Sequence, residues 1–103
     1  MNDELEIRSA SNADGTASLI VAGEIDLSSA PRFRQALELA ASRHSALEID
    51  LRQVTYFDSA GVDAVFAYAT KHRTKLIIGD NRIVATVVRV SGLAQVVTLH
   101  NGH

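Results

Sequence analysis

The sequence predicts an α/β domain: a small mixed β-sheet with helices packed on it, in the order ββαβαβα. Three observations predict it. Within Leu47 to Tyr68 the apolar period changes from two to about 3.6. Short apolar runs then alternate with helical patterns along the rest of the chain, which implies parallel neighbours joined by right-handed crossovers. Two strand-like runs with a polar loop between them open the chain, as in a hairpin.

The hairpin begins with Leu5 and Ile7, which alternate with Glu4, Glu6 and Arg8 as in an edge strand with one wet face. Ser9 to Thr16 reads as a loop, with Asn12, Asp14 and Gly15 as turn formers. Ala17 to Ala22 is nearly continuous apolar sequence and suits a more central strand. Glu24 and Asp26 then read as solvated loop acids; a metal site would need further oxygen ligands, and none stand at suitable offsets. Ser28 or Ser29 is a candidate cap for a first helix from about Ala30 to Ser42, with Pro31 in its first turn. Phe33, Leu37, Ala40 and Ala41 fall on its inner face.

Leu47, Ile49 and Leu51 alternate with Glu48, Asp50 and Arg52 as a strand, and Gln53 to Phe57 reads as a connector. Val62, Val65, Phe66 and Ala69 then recur at helical spacing, and Lys71, His72 and Arg73 are placed to close that helix. Lys75 to Ile78 is a short buried strand. Ile83, Val84, Val87 and Val88 resume helical spacing, although their β-branching suits strands too. Gly92 stands where a helix C-cap glycine is expected. Val96 to Leu99 is a candidate last short strand.

Asp58-Ser59-Ala60-Gly61 marks the start of the second helix, where free N–H groups favour an oxygen-rich cap or an anion. Two readings stay open here. Asp58 or Ser59 is a helix cap, or Ser59 is exposed for chemistry. A hydrolase nucleophile is excluded, because the elbow motif needs glycine two residues before the serine and Phe57 is there.

With 103 residues and 47% apolar content, one ordered domain spanning residues 1–103 is expected. The formal charge of −2 comes from 10 basic and 12 acidic residues with no Lys/Arg cluster, which argues against a nucleic-acid partner. Without cysteines neither disulfides nor thiolate metal sites arise. His44, His72, His100 and His103 share no metal-like spacing and read as surface residues. The five Phe and Tyr residues read as core or half-buried, too scattered to stack bases. No GxxxxGK[ST] loop supports nucleotide binding, and no cofactor is implied. The opening MNDELEIR is too polar for a signal peptide, and no apolar run reaches membrane length, so a cytoplasmic chain without membrane insertion is expected.

Gly23-Glu24-Ile25-Asp26, Leu47-Glu48-Ile49-Asp50-Leu51, Tyr56-Phe57-Asp58-Ser59-Ala60-Gly61-Val62 and Ser91-Gly92-Leu93 together resemble the STAS domain. The chain most resembles the single-domain bacterial anti-sigma factor antagonists, over nearly its whole length. It departs from them at Asp63, where the family usually has a small residue, and at Asp80-Asn81, which replaces a frequent proline-containing turn. The resemblance implies that the chain is not an enzyme. Its unphosphorylated form would bind an anti-sigma factor that is also a serine kinase, freeing a sigma factor. Phosphorylation of the serine that Ser59 matches would end that binding, and a serine phosphatase would restore it. The implied partner surface is Glu24, Asp26, Ser28, Phe57, Asp58, Ala60, Gly61, Val62 and Asp63. STAS domains also act as scaffold subunits without a phosphate switch, for instance in lipid-transport ATPase complexes, and this is the alternative.

Overall fold

A computed structural model describes residues 5–100. Strand β1 (Glu6–Ser11) pairs antiparallel with β2 (Ala17–Ile25). Helix α1 (Ala30–Ala41) leads to β3 (Ala46–Phe57), α2 (Ser59–Ala69) to β4 (Arg73–Ile77), and α3 (Arg82–Ser91) with a 3₁₀ turn (Leu93–Gln95) to β5 (Thr98–His100). The strands form one 5-stranded sheet in the order β1-β2-β3-β4-β5, parallel from β2 onward. This is the mixed α/β architecture that the sequence predicts.

Right-handed crossovers between successive parallel neighbours put α1, α2 and α3 in one layer. In that layer α1 touches α2, and α2 touches α3. The alternation in β3 follows from the layer. Leu47, Ile49 and Leu51 are fully buried beneath the helices with Phe33, Leu37, Val65 and Val84. The other sheet face carries polar ladders instead. Ser18 donates to Glu48 Oε1 at 3.2 Å, and Lys75 Nζ lies 3.4 Å from Glu48 Oε2. Asp50, on that face, is only 7% exposed. Burial alone would raise its carboxyl pKa, but the Arg52 guanidinium, at 3.0 Å from Oδ1 and 2.7 Å from Oδ2, outweighs it and holds the group below the usual range.

Several element boundaries differ from the sequence reading. Gln53 to Phe57 is the upper half of β3, not a connector, because it has a parallel partner in the end of β2. Strand β2 likewise continues through Glu24, so that residue is not in a loop. Gly23, at φ 106, absorbs the register shift that lets Glu24 pair with Tyr56 and Ile25 with Phe57. Helix α2 ends at Ala69; Lys71 and His72 lie beyond it and Arg73 begins β4. The last strand is β5 at Thr98–His100, since Leu93–Gln95 turns as a 3₁₀ helix just before. The Leu5 and Ile7 alternation holds as an edge strand, although Ser9 to Ser11 belongs to it rather than to the loop. Glu4 and His103 lie outside the described residues.

Candidate functional site

Because β3 runs beyond β4, the ends of β2 and β3 project together from the top of the sheet. The Asp58 N–H donates to the Ile25 carbonyl at 3.3 Å, which fixes the chain leaving β3 against the chain leaving β2. This places the Asp26–Ser29 loop beside the start of α2.

The helix cap, left open between Asp58 and Ser59 by the sequence, is assigned there. Asp58 is the α2 N-cap, with extended backbone (φ −119, ψ −166) and Oδ1 accepting from the Ala60 N–H at 2.9 Å. Ser59 is the first helical residue and is exposed. Among the described residues its hydroxyl has no hydrogen-bond partner. Ser59 therefore does no capping.

The serines at the start of α1 behave differently. Neither Ser28 nor Ser29 caps by its side chain, contrary to the sequence reading. Asp26 organises the turn instead. Its Oδ1 accepts from the Ser28 and Ser29 N–H groups at 3.0 Å each, from Ser28 Oγ at 2.8 Å and from Ser29 Oγ at 3.2 Å. Ser29 Oγ also bonds the Glu24 carbonyl at 2.8 Å. The hydroxyl of Ser28 and the N–H of Ser29 hold the Asp26 carboxyl below the usual carboxylate range, so it stays charged.

The remaining candidate residues divide by burial. Phe57 is 3% exposed and Val62 7%, and Gly61 is buried, so these three form the floor and not the surface. Gly61 has a packing reason to be glycine: a Cβ there would stand 2.6 Å from Phe57 Cε1 and 2.8 Å from Ile25 Cγ2. Its absence lets α2 close directly onto the ends of β2 and β3. Glu24, Ser28, Ser59 and Asp63 are exposed, and Asp26, Asp58 and Ala60 half-exposed. Two further residues belong to this surface. Leu27 is 81% exposed in the Asp26 loop, and Tyr56, paired with Glu24, is 48% exposed. Tyr56 is thus not core. The sequence signal for it was the polar neighbours in Gln53 to Tyr56, which make an outward-facing aromatic visible once the segment is read as strand.

The surface holds Glu24, Asp26, Asp58 and Asp63 with the exposed serines Ser28 and Ser59, an apolar side chain at Leu27 and an aromatic at Tyr56. It carries no group of three His, Cys, Asp or Glu able to hold a metal among the described residues. Of the described histidines, His44 bonds Ser11 and Ala40, and His72 stacks on Tyr68 at 4.6 Å.

Residues 9–99 match the family model described as "Mlab, STAS domain". The chain belongs to the STAS domain family. It is 33% identical over 89 residues to proteins named anti-sigma-B factor antagonist from Listeria monocytogenes and Listeria innocua, covering 81% of this chain and 77% of each relative. In fold it is similar to an anti-sigma factor antagonist from Mycobacterium paratuberculosis, with a TM-score of 0.85 at 24% identity over 97% of this chain and 88% of that one. It is also similar to the antagonist SpoIIAA in its unphosphorylated form, with a TM-score of 0.74 at 20% identity over 92% of this chain and 88% of that one. The phosphorylated form of SpoIIAA, from Bacillus, gives 0.65 at 18% identity over 92% and 91%. This STAS domain therefore shares the fold of antagonists solved with and without phosphate. No described helix is long and apolar enough to cross a membrane.

Proposed function

We propose that this STAS domain is an anti-sigma factor antagonist regulated by phosphorylation of Ser59. Unphosphorylated, it binds an anti-sigma factor with serine kinase activity and so frees a sigma factor. The observation that carries the reading is the division of labour at the start of α2: Asp58 caps the helix, and the Ser59 hydroxyl is exposed without a partner among the described residues. The names of the Listeria relatives support the antagonist role.

The chemistry suits that surface. In the forward step Ser59 Oγ displaces ADP from the γ-phosphoryl group of ATP and loses its proton to a base of the kinase. In the reverse step a phosphatase delivers water to the phosphoserine, returning the hydroxyl and inorganic phosphate. This chain supplies the oxygen and no catalytic group, so it is substrate and switch rather than enzyme. In this reading both partners and the switch act in the cytoplasm.

Phosphorylation adds about −1.5 to −2 charges at neutral pH. The N-terminal turn of α2 tolerates this anion within the free protein. Across an interface the balance differs. The phosphate joins Asp58, Asp26 and Glu24 on a surface whose docking groups, Leu27 and Tyr56, favour a close apolar fit. Like charges and uncompensated desolvation then weaken the complex without a change of fold. The partner contacts are Glu24, Asp26, Ser28, Asp58, Ala60 and Asp63 at the surface, with Phe57, Gly61 and Val62 beneath them.

Incubation with a cognate kinase and ATP, followed by intact mass, tests the reading. One added phosphate that Ser59→Ala abolishes is the expected result. A tight complex with no phosphate added, under conditions where the kinase labels another substrate, would favour the scaffold role instead.

A further inference from the structure

A second recognition feature lies at the opposite side of the sheet from β5, under the edge strand. Helix α1 packs on β2 and β3 and leaves the inner side of β1 uncovered. The result is an open crevice of about 430 Å³ between β1 and α1. Ile7, Ser9 and Ser11, at alternate positions of β1, line one wall. Leu19, Ala36 and Leu39 give the middle an apolar floor, and Leu39 is 58% exposed there.

The two ends of the crevice are cationic. Arg32 is held at one end, its Nη1 donating to the Leu5 carbonyl at 2.7 Å. His44 is held at the other, its Nε2 3.2 Å from Ser11 Oγ, with Arg43 beside it. Among the described residues no carboxylate lines the crevice. Above it, β1 pairs among the described residues with β2 alone, so its outer main-chain groups form an open edge there. No proline or lysine interrupts Glu6–Ser11 to block an added strand.

We propose that this edge and crevice take an extended acidic segment of a partner protein by strand addition. The partner's main chain extends the sheet beyond β1, and its alternate side chains drop into the crevice. Apolar side chains fill the middle over Leu19 and Ala36, and carboxylates at the two ends meet Arg32 and Arg43. A strand advances about 3.3 Å per residue, so the span of β1 matches a segment of about six or seven residues. The Arg32 end of the crevice follows the Asp26–Ser29 loop by one turn of α1, the Arg32 N–H donating to the Ser29 carbonyl at 3.1 Å, and the proposal does not rest on the phosphorylation reading.

The test uses the full chain and a blocked peptide, Glu-Thr-Val-Thr-Val-Thr-Glu, whose crevice-facing positions are Glu, Val, Val and Glu. Amide shifts in ¹H–¹⁵N spectra should move along residues 7–11 and 32–44. Replacing both Glu by Lys should weaken binding at least about tenfold, as should Arg43→Glu in the protein. Arg43 is exposed, and an unchanged melting curve checks that the variant is folded. N-methylation of alternate peptide amides facing β1 should abolish binding. The proposal is overturned by equal binding of the Lys-ended or N-methylated peptide, by shifts that map elsewhere, or by no shift at millimolar peptide. Sedimentation showing that the chain instead pairs with its own copy through β1 would also overturn it.

Discussion

Helices α2 and α3 start with the same local device, and the two starts serve different ends. Asp58 caps α2 and Asn81 caps α3, each with extended backbone and a side-chain oxygen on an early helical N–H. The difference is in what else the side chain does. Asn81 Oδ1 accepts from Val84 at 3.1 Å while its Nδ2 donates to the carbonyls of Leu51 at 3.0 Å and Val54 at 2.7 Å. It ties a helix to the middle of β3. Asp58 has no side-chain donor and makes only its cap bond, leaving the neighbouring serine untouched. A cap motif thus states where a helix begins. Whether the place is a structural joint or an accessible site depends on the remaining donors and the exposure around it.

The sharpest way to break this comparison is at Asn81. Asn81→Ala removes the cap and leaves carbonyls of β3 without their donor, so a loss of about 3 kcal/mol is expected in denaturant unfolding. Asn81→Asp restores the cap but not the donors, and sets a carboxylate against carbonyl oxygens. It should remain destabilising by more than about 1 kcal/mol. Asp58→Asn, the reciprocal change, should cost under about 0.5 kcal/mol, since both residues cap well. Equal costs for the two exchanges would show that the starts are not different in kind.

Gly61→Ala comes next. Its methyl group meets Phe57 and Ile25 well inside contact distance, and the overpacking should cost about 1–3 kcal/mol. Because the clash sits beneath Ser59, shifts in the Asp26–Ser29 loop amides should accompany it. A silent Gly61→Ala would mean that α2 does not close on the strand ends as described.

A smaller effect concerns Asp26, which sharpens the contrast between the bonded serines of the α1 turn and the unbonded Ser59. Its folded pKa is depressed below the ordinary 3.8 by Ser28 and Ser29, so its contribution to stability is full above that value. The contribution is lost as pH falls through the folded pKa. Melting curves of Asp26→Asn should therefore converge on those of the unaltered chain as pH falls through the carboxylate range. A difference independent of pH would assign the turn to packing alone.

Much of this was legible in the chain. The period change across Asp58 located the α2 start, and Gly92 at φ 87 ends α3 as its position suggested. The valines of α3 form a helix despite β-branching, because Val84 and Val88 share one buried face and Asn81 anchors its start. What was not legible depended on partners distant in sequence. Gln53 to Phe57 has too little alternation to read as a strand until β2 lies beside it. Asn81 looked like a turn residue, since nothing local reveals bonds to Leu51 and Val54. Exposure at Leu27 and Tyr56 likewise follows from β2 and β3 ending together. The family resemblance marked Ser59, but only the geometry separated it from its capping neighbour.

The central claim is that Asp58 holds the helix and Ser59 carries the switch. Ser59→Ala and Ser59→Asp, each melted and each titrated against an anti-sigma kinase with and without ATP, test it most directly. The account predicts stabilities within about 0.5 kcal/mol of the unaltered chain for both, because the Ser59 hydroxyl bonds nothing among the described residues and an acid suits the first turn. Ser59→Ala should bind the kinase and fail to be released by ATP. Ser59→Asp should bind at least about tenfold more weakly, which corresponds to about 1.4 kcal/mol. Equal affinity of all three proteins, with only Ser59→Ala melting earlier, would contradict the claim and return Ser59 to the role of a cap.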